Sequence, residues 1–229
     1  MKRLLIGAVC AACFASASAA DFFSTERCDE FITYGARMGL NTTNRTMNGS
    51  SFYDSYSNQS WGTGFDIGGV VNFNFRDYLT IQPGLFYESR SGRYTLMGMK
   101  NGVEMAQAGK RNSYNFTIPV MAVIGFNVSD EVKWNVEAGP YVAFVMNSKL
   151  SNEGTVPMDN FDVLFDQKAA TVDFGFKMGL SVRVMQHYYF GTHYMAGCLH
   201  AWQNKKIGSL TQNFGGVTKG WMFSLGYDF

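Results

Sequence analysis

The chain holds only three histidines, His187, His193 and His200. Acyl transfer needs a nucleophile, a base within hydrogen-bond reach and a carboxylate that orients the base. Ser181 and Asp173, in the segment before His193, have the right types, but neither sits in a nucleophile motif. His193 is therefore expected to hydrogen-bond on a polar face, His187 to occupy a short turn and His200 to anchor at an interface. No catalytic residue is expected. Of four cysteines, Cys10 and Cys13 fall in an apolar leader, leaving Cys28 and Cys198. These form no zinc-ligand pair, and their separation along the expected strands should exceed the ~7 Å limit for a disulfide. With no Gly-rich phosphate loop and no calcium-type carboxylate run, neither metal nor cofactor is expected.

The charged residues are more informative. Arg37, Arg90, Lys177 and Arg183 balance Asp66, Glu88, Glu137 and Asp173, and nearly all stand in phase with glycine and asparagine within segments that alternate polar and apolar residues. Alternation of period two marks strands. Eight are expected: Phe31 to Asn41, Trp61 to Phe75, Leu79 to Ser89, Tyr114 to Asn127, Lys133 to Met146, Ala170 to Val184, Tyr188 to Trp202, and Trp221 to Phe229. In the sixth, Val172, Phe174, Phe176, Met178, Leu180 and Val182 oppose Asp173, Gly175, Lys177, Gly179, Ser181 and Arg183.

The connectors alternate in length. Arg76 to Tyr78, Val128 to Val132 and Met185 to His187 are short, while Thr42 to Ser60, Arg90 to Ser113, Asn147 to Lys168 and Gln203 to Thr218 are long and polar. Short turns on one side and long loops on the other characterise barrels of the bacterial outer membrane, and an even strand number leaves both termini periplasmic. Strands of ~10 residues, tilted ~45°, rise about 23 Å, close to the ~25 Å apolar band such a barrel presents to lipid. No segment after the leader approaches the ~18 apolar residues of a spanning helix.

A soluble barrel also alternates, with its apolar face inward. Side-chain size decides the sign. The polar face carries Gly35, Gly39, Gly64, Gly68, Gly139, Gly175, Gly179 and Gly191, whereas the apolar face is bulky. Eight strands enclose a lumen just wide enough for side chains, so small residues belong inside and large ones face lipid. The eight charged residues named above are then a lumenal network that plugs the barrel, because unpaired buried charge is costly. Trp61, Tyr78, Tyr87, Trp134, Tyr188, Trp202 and Trp221 fall at strand ends, where amphipathic rings favour the headgroup region as an aromatic girdle. Tyr227 and the terminal Phe229 are expected to form the signal read by the barrel assembly machinery.

Residues 1–20 read as a signal peptide: Lys2 and Arg3, an apolar stretch, then Ala17-Ser-Ala19-Ala20. Neither Cys10 nor Cys13 has the upstream leucine of a lipoprotein site. Residues 21–30 are expected as a short periplasmic segment and 31–229 as the barrel domain. The whole chain has 19 basic and 18 acidic residues, and two of the basic ones leave with the leader, so no nucleic-acid partner is expected.

Thr80-Ile-Gln-Pro-Gly-Leu-Phe-Tyr87, Phe116-Thr-Ile-Pro-Val120, Glu137-Ala-Gly-Pro-Tyr141, Phe174-Gly-Phe-Lys-Met-Gly179 and the Gly-Tyr-Asp-Phe229 ending together resemble the PorT-like outer membrane beta-barrel proteins common in Bacteroidetes, related in architecture to the small barrels OmpA and OmpX. The resemblance spans the mature chain and implies an all-β, eight-stranded antiparallel transmembrane barrel in a Gram-negative outer membrane. The family's namesake is linked to type IX secretion, so an accessory role in a secretion system is one reading. The preferred reading is a non-enzymatic surface scaffold or binding protein whose long loops meet an extracellular partner. A narrow small-solute channel is an alternative, though a general porin needs about twice the strands. Lipid A-modifying enzymes on such barrels supply a further rival.

Overall fold

The computed structural model describes Thr25, residues 27–28, 30–45, 56–100, 103–129, 131–152, 170–200, 205–207, 210–212 and 216–229. The expected signal peptide, Trp202 and most of the stretch from Asn147 to Lys168 lie outside these residues. Among the described residues ten strands follow one another: β1 (Ile32–Arg45), β2 (Tyr56–Arg76), β3 (Leu79–Lys100), β4 (Val103–Ser129), β5 (Val132–Asn152), β6 (Val172–Val184), β7 (Tyr188–Gly197), β8 (Lys205–Ile207), β9 (Leu210–Gln212) and β10 (Thr218–Asp228). Eight of them close into an antiparallel barrel in the order β1-β10-β7-β6-β5-β4-β3-β2, and β8 and β9 pair with each other. No helix among the described residues is long and apolar enough to cross a membrane.

Burial is inverted relative to a soluble protein. Leu40, Ile67, Leu85, Met178, Phe190, Phe223 and Leu225 face outward, whereas Asn72, Glu88, Asn115, Asn135 and Glu137 are shut away from solvent. Such a surface is stable only against hydrocarbon, and closure leaves no backbone edge exposed there. The seam between β1 and β10 runs from Gly35 opposite Asp228 to Arg45 opposite Thr218. Beyond it, the Phe229 amide donates to the Tyr34 carbonyl at 2.8 Å.

The turns are tight. Asp77 and Tyr78 connect β2 to β3. The Asp77 carboxylate accepts from Lys133 at 2.6 Å and from Asn127 at 2.6 Å, tying two neighbouring turns together. Between β6 and β7, Met185 and Gln186 both take positive φ, 51° and 62°. Two consecutive left-handed residues suit the right-handed twist of a tight hairpin.

The opposite end departs from the sequence expectation. Arg90 to Ser113 is not a long loop, because β3 and β4 stay in register from Arg90 opposite Ser113 up to Lys100 opposite Val103. β5 runs on to Asn152, and β2 begins at Tyr56. β7 ends at Gly197, short of Trp202. The added segments carry no sustained alternation of polar and apolar residues, so the sequence does not forewarn of them.

Candidate functional site: the lumen and its outer mouth

All eight charged residues expected in the lumen belong to strands whose partners bring them inside, and seven are buried, with Arg183 half-buried near the turns. They separate into layers. Nearest the turns, the Asp228 carboxylate holds Arg37 at 2.6 Å and Arg183 at 2.8 Å. The Arg37 guanidinium also lies 3.9 Å from the Tyr189 ring centre. Asp228 escapes the sequence reading because it sits inside the terminal aromatic motif, although its phase with Ser224 and Gly226 places it inward. Gly226 stands opposite Arg37 across the seam. A Cβ there would collide with the arginine side chain, so glycine makes room for the ion pair.

At mid-height, Glu137 is the hub. It accepts from Ser181 at 2.5 Å, meets His193 Nε2 at 2.7 Å and accepts from Tyr189 at 3.1 Å. The register explains the meeting: Glu137 of β5 is opposite Gly179 of β6, and Gly179 is opposite His193 of β7. With no side chain on the middle strand, the outer two converge. Ser181 and His193 thus both turn to the same carboxylate. Asp173 lies elsewhere, with Arg90 and Tyr141. The serine, histidine and aspartate do not assemble in the order that acyl transfer requires.

Above this, Arg90 spans the barrel. It reaches Glu88 at 2.6 Å on its own strand, Asp173 of β6 at 3.0 Å and the Thr117 hydroxyl of β4 at 3.1 Å. The Tyr141 hydroxyl donates to the same Asp173 oxygen at 3.2 Å. Asp66 lies directly opposite Glu88, both 1% exposed. Lys177 stands 5.3 Å from the Phe86 ring centre. Amides complete the filling, with Gln82 donating to Asn72 at 2.6 Å and Asn135 to Ser181 at 3.1 Å.

The mouth holds two arginines that the sequence reading leaves out. Arg45 ends the inward series Arg37, Asn41, Thr43 on β1, and Arg111 extends Asn115 and Ser113 on β4. Both line a small cavity of about 20 Å³ together with Thr43, Ser113 and Thr218.

Of the aromatic residues expected at strand ends, Trp61, Tyr188 and Trp221 are exposed, while Tyr78, Tyr87 and Trp134 are half-buried. Tyr227 is exposed and stacks on His187 at 5.3 Å between ring centres. Phe229 is 71% exposed. His200 is exposed beyond the end of β7. Cys28 is half-buried, Cys198 is exposed, and no disulfide joins them.

An eight-stranded antiparallel barrel with an apolar exterior and a polar, ion-paired interior is an outer membrane protein by construction. Sequence comparison agrees: residues 18–199 match the model of the outer membrane protein beta-barrel domain, and the chain belongs to that family. It is embedded in outer membrane lipid. No curated protein matches the chain. Among solved structures it is similar to the outer membrane protein OprG from Pseudomonas aeruginosa, at 11% identity over 90% of this chain and 99% of that one, with a TM-score of 0.51. It also aligns with Ail, the attachment invasion locus protein of Yersinia pestis, at 12% identity over 86% and 99% with a TM-score of 0.40. Neisserial surface protein A aligns at 13% over 87% and 98%, with a TM-score of 0.39.

Proposed function

We propose that this barrel is a non-enzymatic surface protein that binds an extracellular partner through the wall formed by β2, β3, β4 and β5 above the mouth. One observation carries the reading. β3 and β4 remain paired to their tips, β2 joins them from Tyr56 opposite Met97, and β5 from Asn152 opposite Gly109. Among the described residues, β1 pairs with β2 only as far as Gly62, and β6 with β5 only as far as Phe144. Among the described residues the wall therefore has two unpaired edges, and such an edge can take on a partner's strand by backbone hydrogen bonding.

The layered lumen supports a plugged scaffold over a channel, since Arg90 crosses it to Asp173. The shared use of Glu137 by Ser181 and His193 argues against a lipid A-modifying enzyme. The finer placement belongs to the same proposal. Residues 1–20 direct export, 21–30 lead into the barrel domain at 31–229, and both termini face the periplasm. The girdle residues sit at the two headgroup layers, and Tyr227 and Phe229 present the last strand to the assembly machinery. The PorT-like resemblance, a Bacteroidetes origin and a secretion partner at the wall are part of this reading.

The test removes the wall without touching the plug. Arg93 and Lys110 are directly opposite. Joining them through Asn-Gly deletes the hairpin tip while Arg90 keeps its partners. Cells displaying this variant should lose adhesion to immobilised matrix and serum proteins, while the purified barrel keeps its heat-modifiable migration. Full adhesion with the tip removed sinks the proposal.

A further inference from the structure

We propose that the outer mouth of the lumen is a binding site for a small oxyanion, the phosphate or sulfate group of a soluble ligand. Arg90, at its floor, is already matched by Glu88 and Asp173. Arg45 from β1 and Arg111 from β4 add two guanidinium groups above it, and Arg93 stands at the rim. No carboxylate lines this cavity among the described residues. The cavity at mid-lumen differs, because there Arg37 and Lys177 are accompanied by Glu137.

Donors on Arg45 and Thr218 are placed but not consumed among the described residues. Arg45 donates through Nη2 to Ser113 Oγ at 3.2 Å, while its Nη1 is buried without a hydrogen-bond partner among the described residues. Thr218, 1% exposed, likewise has a hydroxyl without a partner there. Unmatched buried donors cost free energy that an incoming acceptor restores. An oxyanion suits them because each guanidinium offers a planar fork to tetrahedral oxygens, and hydroxyls complete the shell. Gly92 faces Arg111 across the ladder and leaves the space open. Since these side chains point into the lumen, the ligand arrives dissolved from outside the cell. This inference goes beyond the wall and stands or falls separately from it.

The test uses the full-length barrel refolded in a zwitterionic detergent, each variant first shown to be heat-modifiable, and titrated calorimetrically with inorganic phosphate and inorganic sulfate. Saturable binding near one site per chain is expected. Arg45→Gln should weaken it at least about tenfold, and Arg111→Gln similarly. Thr218→Val, which keeps shape and charge, should weaken it a few-fold and guards against a folding defect in the arginine variants. Lys219→Gln, the same charge change on the exposed neighbour of Thr218, should leave it unchanged. Absence of saturable uptake overturns the proposal. So does equal weakening by Lys219→Gln, which would mean a diffuse surface effect. A barrel that ignores soluble phosphate but associates with phosphatidylglycerol over phosphatidylcholine in nanodiscs would assign the arginines to lipid headgroups and overturn it too.

Discussion

The barrel has a tall side and a short side. β2, β3, β4 and β5 run for 21, 22, 27 and 21 residues, whereas β6, β7 and β10 run for 13, 10 and 11. From Gly92, opposite Trp61, to the end of β3 at Lys100 is eight residues, about 27 Å of strand at ~3.4 Å each. Within the membrane the two sides obey one rule, apolar outside and polar inside, since lipid punishes any other register. Above it the ladder of backbone hydrogen bonds carries the tall side on to Lys100 opposite Val103. One group of ion pairs follows the same division, and others cross it. Arg37, Asp228 and Arg183 all belong to the short side, on β1, β10 and β6. Arg90 straps the sides together, joining β3 and β4 to β6, and Glu137 of β5 also crosses between them to His193 of β7.

Cutting the strap should have the largest effect. Arg90→Met leaves Glu88 and Asp173 as buried carboxylates without their cation, and removing one partner of a buried pair costs about 3–5 kcal/mol. Urea unfolding in detergent, followed by tryptophan fluorescence, should show that loss. The triple variant with Glu88→Leu and Asp173→Leu added should recover most of it, because no charge is then stranded. A triple variant as weak as the single one would mean that Arg90 acts through packing, not charge.

The next test locates the boundary between membrane and wall. Leu40 on β1 is 70% exposed, and arginine there at mid-membrane should cost about 2–4 kcal/mol. Asn147 on β5 is also exposed, three residues beyond Phe144, the last point of pairing with β6. Asn147→Arg should stay within about 0.5 kcal/mol of the parent, as substitutions in water do. Equal penalties in the same unfolding assay would place Asn147 in lipid and shorten the wall.

Inside the short side, Gly179→Val tests the empty position between Glu137 and His193. A Cβ there would strike the Thr192 carbonyl and the His193 ring. Overpacking of this kind costs about 1–3 kcal/mol. The same change at Gly69, whose Cβ would meet only the Gly35 carbonyl at 3.7 Å, should cost less in matched unfolding curves.

These contrasts also explain what could be read in advance. The embedded strands were legible because lipid and lumen impose opposite demands on alternate residues, as in Val172-Asp173-Phe174-Gly175-Phe176-Lys177. The wall was not, because Arg90 to Ser113 carries no sustained alternation of polar and apolar residues, and strand and loop share such a composition. The network's members were legible one at a time, but their partners were not, since pairing depends on register across strands distant in sequence. Arg90 and Asp173 are 83 residues apart. Arg45 and Arg111 could have been found by extending the inward phase of Thr43 and Ser113 past the expected strand ends.

The smallest expected effect concerns the turn that starts β7. Met185 and Gln186 hold positive φ without being glycine or asparagine, and side chains in that region crowd their own backbone. The His187 amide still closes the turn on the Val184 carbonyl at 3.2 Å, and the His187 ring meets the Asp228 carbonyl at 2.8 Å, so the strain is held from both sides. Replacing Met185-Gln186 by Asn-Gly keeps the backbone path with residues that favour it, and should raise stability by about 0.5–1 kcal/mol in the same urea assay. The mirror experiment, Ala-Ala in place of Asn101-Gly102 between the ends of β3 and β4, should leave global unfolding unchanged, because the wall can fray without opening the barrel. A loss from the tip as large as the gain from the turn would mean that the wall and the barrel unfold as one unit.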